Sequence, residues 1–275
     1  MNPAASFIEL DGVRLETLFL PAARGAAPRA PLVFLHEGLG SVAMWHQRGQ
    51  FWPGELCAAT GRAGLLYSRR GYGRSAAIPD VRGPSQTNGT WRSGRHQPDY
   101  MHVEAFEVLP RLLRACGIER PVLIGHSDGA TIALLHASRH PVAGCVAMAP
   151  HVRVEDIGLQ AIAQARDAYA TTTLRERLAR YHDDVDNAFW QWNEVWLSEA
   201  FRGFDIRGDC ARIQAPLLLV QGVDDEYGTL QQLDDILEAA PHGQRLELAA
   251  CGHSPHRDQP QILLEQVTAF LRDID

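Results

Sequence analysis

The sequence predicts an α/β chain: a mostly parallel sheet flanked by helices, with a small helical insertion late in the chain. Three observations predict it. Short continuous apolar runs alternate with helical patterns, which is how doubly buried strands and their crossovers read. A strand-turn-strand signal opens the chain. The stretch 151–214 lacks strand patterning and separates the last strands from the rest.

Residues 6–10 and 13–20 alternate apolar and polar side chains around Asp11-Gly12, so a β-hairpin is expected. The runs 31–35, 63–67, 121–124 and 143–148 are too short and continuous for half-exposed strands and belong in the centre of a parallel sheet. Between residues 103 and 116, Ala105, Val108, Leu109, Leu112 and Leu113 recur at spacings of three and four, a stripe that packs a helix onto a sheet. Strands at 216–220 and 245–248, with helices at 230–239 and 260–271, close the pattern through right-handed crossovers. Helical stretches at 159–169, 173–182 and 184–197 fill the insertion. The expected organisation is therefore a core of residues 1–150 and 215–275 with a helical cap at 151–214. Segment 80–99, rich in Gly, Pro, Ser, Asn and Arg, reads as a loop.

At 275 residues the chain suits one core with an appendage. A net charge of -7 leaves no basic excess for phosphates, so nucleic acid is not an expected partner. Nothing approaches the roughly 18 apolar residues of a membrane span, and the start lacks a signal-peptide pattern, so no membrane partner and a cytoplasmic location are expected. Cys57, Cys116, Cys145, Cys210 and Cys251 form no Cys-x-x-Cys pair, which argues against both a disulfide framework and a thiolate zinc site.

The chemistry-bearing residues all follow predicted strands. Gly125-His126-Ser127-Asp128-Gly129 leads from a strand straight into the apolar helix 130–137, the context of a nucleophile elbow. Glycines at 125 and 129 remove Cβ atoms from a sharp turn that would leave the Ser127 hydroxyl exposed. A helix cap by Ser127 is the plainer account of the same residues. His36-Glu37-Gly38-Leu39-Gly40-Ser41 follows an earlier strand, where amides of Gly38 and Asp128 can form an oxyanion hole. Glu37 is unusual so near developing negative charge, so its side chain should turn away or be neutralised. Gln221-Gly222-Val223-Asp224-Asp225-Glu226 offers a carboxylate to orient a histidine, with Asp225 preferred over Asp224. Cys251-Gly252-His253-Ser254-Pro255-His256 places His253 last in the chain order Ser, Asp, His.

Together these landmarks resemble the α/β-hydrolase superfamily over nearly the full chain. Arg70-Gly71-Tyr72-Gly73-Arg74-Ser75 is similar to that family's turn after its fourth strand, although the aspartate that usually begins the turn is Ser68 here. The resemblance implies an eight-stranded sheet with a cap after the sixth strand. It also implies a cofactor-independent serine hydrolase acting on a carboxylic ester or lactone through Ser127, His253 and Asp225. Relatives that open epoxides or remove halides use aspartate at the elbow, so Ser127 argues against both. The alternatives are a carbon–carbon bond hydrolase of aromatic degradation and a ligand-binding homologue with little turnover.

Trp192 and Trp196 share one helical face and are expected to roof a pocket for a small apolar or aromatic acyl substrate, or else to glue the cap to the core. His102, Trp45 and His151 are lesser substrate-binding candidates, and arginines of loop 80–99 could attract an acidic substrate. No metal is expected, because the pair His253-x-x-His256 is by itself poor evidence for a metal site. A homodimer is left open.

Overall fold

A computed structural model of the chain describes residues 5–23, 25, 27–79, 81, 86–87, 90–91 and 94–274. Its main sheet contains β1 (Ser6–Leu10), β2 (Val13–Leu20), β3 (Leu32–Leu35), β4 (Gly64–Tyr67), β5 (Val122–His126), β6 (Gly144–Met148), β7 (Leu217–Gly222) and β8 (Gln244–Leu248). The spatial order is β1-β2-β4-β3-β5-β6-β7-β8. β1 pairs antiparallel with β2, and β2 with β4; the remaining pairs are parallel. The eight-stranded, mostly parallel sheet expected from sequence is thus present.

The continuous apolar runs follow from burial on both faces. In β3, Val33 and Leu35 point to one core with Leu123 and Ala130, while Leu32 and Phe34 point to the other with Val122, Ile124, Trp45 and Trp52. Each side chain buried this way contributes about 2 kcal/mol. No helix among the described residues is long and apolar enough to cross a membrane.

Helix α1 (Trp52–Thr60), between β3 and β4, was not anticipated from the apolar pattern. Its signals are at its ends, with Pro53 in the first turn and Gly61 left-handed at the C-cap, φ 69°. The stripe at 103–116 becomes α2 (Tyr100–Val103), a π-helical turn Glu104–Val108 and α3 (Leu109–Ala115). The Leu109 N–H reaches back five residues to the Glu104 carbonyl just before Pro110, which has no N–H to donate. Helix α4 (Asp128–Ala137) follows β5 directly and is buried throughout.

Between β6 and β7 the chain forms α5 (Asp156–Thr171), α6 (Leu174–Leu178), α7 (Val185–Trp196), a 3₁₀ turn Glu199–Gly203 and α8 (Arg207–Cys210). The Asp184 side chain caps α7 by accepting from Asn187 N–H at 3.0 Å. At the base of this segment an isolated antiparallel bridge joins Arg153 to Asp205. Helices α9 (Gln231–Ala239), α10 (Pro255–Asp258) and α11 (Pro260–Phe270) complete the chain.

Glu16 of β2 supplies the carboxylate that Ser68 lacks. Its Oε2 accepts from Ser68 Oγ at 2.7 Å and from Arg74 N–H at 3.0 Å, and Ser68 Oγ in turn accepts from Val42 N–H at 2.9 Å. A Cβ on Gly73, where φ is 57°, would lie 2.4 Å from that oxygen, so the turn closes around the carboxylate. Glu16→Ala strands buried donors and should lower the unfolding free energy by about 2 kcal/mol in urea titration, with Glu16→Gln costing less.

Candidate active site

The elbow after β5 holds Ser127 at φ 55°, ψ -120°, a conformation that L side chains rarely adopt. Backbone crowding explains the flanking glycines. A Cβ on Gly125 would lie 2.3 Å from the Gly129 carbonyl oxygen, and one on Gly129 would lie 2.1 Å from the Leu35 carbonyl oxygen. The strained residue is pinned by bonds from its own N–H to the Met148 carbonyl and from Ala130 N–H to its carbonyl, each at 2.8 Å. Ser127 caps α4 only by position, since its side chain makes no capping bond.

Its hydroxyl instead lies 2.9 Å from His253 Nε2. His253 Nδ1 faces both oxygens of Asp225, at 2.9 and 3.0 Å. Asp225 Oδ1 also accepts from Tyr227 N–H at 2.8 Å, and Oδ2 from Gln221 Nε2 at 3.1 Å. The rival Asp224 is exposed, and its N–H is spent on the Cys251 carbonyl at 2.9 Å. Gly222 makes this convergence fit, because a Cβ there would lie 2.2 Å from the Cys251 carbonyl oxygen. Burial alone would lower the His253 pKa, but Asp225 with help from Glu37 and Glu226 raises it above the usual 6.5. Burial pushes Asp225 up, and His253, with the Tyr227 N–H and His151, more than reverses this, leaving its pKa below the ordinary carboxylate value.

Ser127 and His253 line a cavity of about 210 Å³ together with Gly38, Asp128, Leu39, Met44, His151, Trp192 and Trp196, and Asp225 sits behind His253, outside the cavity lining. The Gly38 and Asp128 N–H groups have no acceptor among the described residues. Trp192 rests on Gly38, where a Cβ would lie 2.2 Å from the indole Nε1. The Trp196 indole donates to Tyr100 Oη at 3.0 Å, and Tyr100 donates to Asp128 Oδ2 at 2.5 Å. His151 lies 5.6 Å from His253, ring to ring, and burial with the nearby His253 charge pushes its pKa down to about 3.

Glu37 is neutralised in place. Its carboxylate abuts His126 Nδ1, so although burial would raise its pKa, His126 and then His256 and His253 hold it far below the ordinary range. Two sequence-based candidates do not line the cavity. Trp45 is buried in the opposite core against Phe34, 5.8 Å centroid to centroid, and His102 sits between Phe106 and Phe204 at 5.9 and 5.8 Å. Both were candidates because they sit just beyond a strand or at a helix start in the sequence, but their side chains face other layers. Of the arginines in loop 80–99, Arg95 turns inward to pair with Glu194, and Arg82 and Arg92 lie outside the described residues.

Sequence reasoning missed Arg69. Its guanidinium donates to the His36 and Glu37 carbonyls at 2.6 and 2.8 Å and lies 3.9 Å from Asp128, so one buried cation braces both the Glu37-Gly38 loop and the elbow. The available signal was a charged residue two positions beyond β4, at the strand ends where the other motifs gather.

Residues 32–266 match the model of the Alpha/beta hydrolase family. The chain is 27% identical over 268 residues to "Putative carbamate hydrolase RutD" of Pseudomonas savastanoi pv. phaseolicola, covering 88% of this chain and 94% of that protein. A protein of the same name from Stutzerimonas stutzeri is 29% identical over 272 residues, covering 87% and 92%. Among solved structures, the enol-lactonase from Burkholderia xenovorans LB400 matches with a TM-score of 0.70 and 19% identity, over 98% of this chain and 100% of that one; at this identity the likeness is one of fold. With its sheet order and a family model spanning most of its length, this chain belongs to the Alpha/beta hydrolase family.

Proposed function

We propose that this hydrolase cleaves a small carboxylic ester or lactone through an acyl-enzyme on Ser127. The observation that carries the reading is the relay itself: the Ser127 hydroxyl and the His253 imidazole in hydrogen-bond reach on the wall of one cavity, with the Asp225 carboxylate bonded to the far side of the imidazole. Ser127 Oγ attacks the carbonyl carbon as His253 Nε2 takes its proton. Asp225 accepts from Nδ1–H and stabilises the imidazolium. The oxyanion is received by the free Gly38 and Asp128 amides, which Arg69 braces from below. Collapse expels the alkoxide, which takes the proton from His253. Water then attacks the acyl-enzyme with His253 as base, releasing the acid and restoring the hydroxyl.

Residues 151–214 act as a cap in this reading. Trp192 and Trp196 of α7, with Ile162 and Leu178, form an apolar roof suited to a small apolar or aromatic acyl group. A carbamate presents the same carbonyl chemistry, and the name of the RutD relatives makes it a second substrate class to test.

Ser127→Ala should lower turnover by about a millionfold and abolish labelling by a fluorophosphonate probe, read by mass on the Ser127 peptide. Unlabelled wild-type protein would mark a binding homologue, and a panel of acyl esters, lactones, carbamates and dienol ketones separates the enzymatic classes. Because His253 must be neutral to accept a proton and its pKa is raised, kcat/KM should fall toward acid pH with an apparent pKa above 6.5. Asp225→Asn should shift that limb downward and cut kcat by about 10⁴-fold. Trp192→Ala with Trp196→Ala should change acyl selectivity; loss of stability with selectivity intact would reduce the roof to packing.

A further inference from the structure

Behind the relay lies a second cluster that the hydrolytic reading does not use. Glu37, His126 and His256 each bring one potential ligand atom to a common point, and these atoms all lie within 4.8 Å of one another. The three come from separate loops, after β3, at the end of β5 and in α10. His126 and His256 are 1% and 5% exposed, and His256 Nδ1 has no hydrogen-bond partner among the described residues. The Glu37 carboxylate pairs with His126 Nδ1, so two of the three groups already meet.

The tautomer of His126 is set from its other side. Its Nε2 lies 2.7 Å from the His253 carbonyl, which can only accept, so Nε2 keeps a proton and Nδ1, beside Glu37, is the atom that gives up its proton to bind a metal. An imidazole whose far N–H is held by a backbone carbonyl is the usual arrangement of a metal-bound histidine. Two imidazole nitrogens and one carboxylate make a three-ligand set for a zinc-class divalent ion, leaving an open position. Tetrahedral bonds near 2.0–2.1 Å space such donors about 3.3 Å apart, an adjustment on the order of 1 Å at the side-chain tips. Glu37 is itself part of the cavity wall, which provides a path of entry.

We infer that Glu37, His126 and His256 form a binding site for one zinc-class divalent cation, joining the Glu37-Gly38 loop, the elbow and the His253 loop. Its ligands are distinct from Ser127, His253 and Asp225, so the inference stands or falls separately from the catalytic reading.

The test is equilibrium dialysis of the full, chelator-stripped chain against Zn²⁺ alone, with bound metal counted by elemental analysis. One ion per chain is expected. Glu37→Gln and His256→Gln should each weaken binding at least tenfold, whereas Ser127→Ala and His253→Asn leave it unchanged; circular dichroism confirms the fold of each variant. Should His256→Gln fail to fold, the partly exposed Glu37 still provides a readable variant. Less than a tenth of an ion per chain at 100 µM Zn²⁺, or full binding by the folded Glu37→Gln variant, overturns the site. Binding lost in His253→Asn would place the ion in the relay and overturn it equally.

Discussion

The structure depends on how closely the backbone of the elbow can approach its neighbours. β5 must turn into α4 within one residue, with α4 pressed on the carbonyl end of β3, and a single methyl group at Gly125 or Gly129 would collide with main-chain atoms. Such contacts have no flexible side-chain end that can yield. Positive φ at a non-glycine residue costs about 1–3 kcal/mol, and the helix and sheet bonds that hold Ser127 offset it. The same economy of space recurs at Gly222, where β7 meets the chain leading to His253. A hydroxyl and an imidazole carried by loops distant in sequence therefore meet at 2.9 Å because three glycines let three backbones touch.

Charge inside the site is balanced locally. Arg69 faces two carbonyls and Asp128, Asp225 is surrounded by donors, and Glu37 is matched to His126. Unpaired buried ions would cost several kcal/mol each, so the remaining imidazoles stay neutral. Burial pushes His151 and His256 down to about 3. His253 alone among these histidines is raised, because Asp225 outweighs its desolvation.

The helices between β6 and β7 are fastened to the core by polar contacts as well as by aromatic packing. Asn187 bonds both the N–H and the carbonyl of Ile78, at 3.1 and 2.7 Å, and His182 bridges Gly73 N–H and the Leu39 carbonyl. Gly71 leaves room for Gln191 and Asn187, and Gly38 leaves room for Trp192. Phe189 stacks on Tyr169 at 3.7 Å away from the cavity, so the aromatic run of α7 divides between packing and lining.

The strands, their order of burial and the loop positions of Ser127, Asp225 and His253 were legible in the sequence. Apolar runs and strand-end motifs are local in the chain, and local patterns record backbone geometry directly. Helix α1 escaped because its evidence lies in its caps. Arg69, the substitution of Glu16 for a missing carboxylate, and the exclusion of Trp45 and His102 from the cavity were decided only by the tertiary structure. Each depends on which layer a side chain faces, and no spacing along the chain encodes that. The histidine pair His253-x-x-His256 makes the same point. Alone it is poor evidence for a site, but folding gives His256 new companions, Glu37 and His126, from two other strand ends.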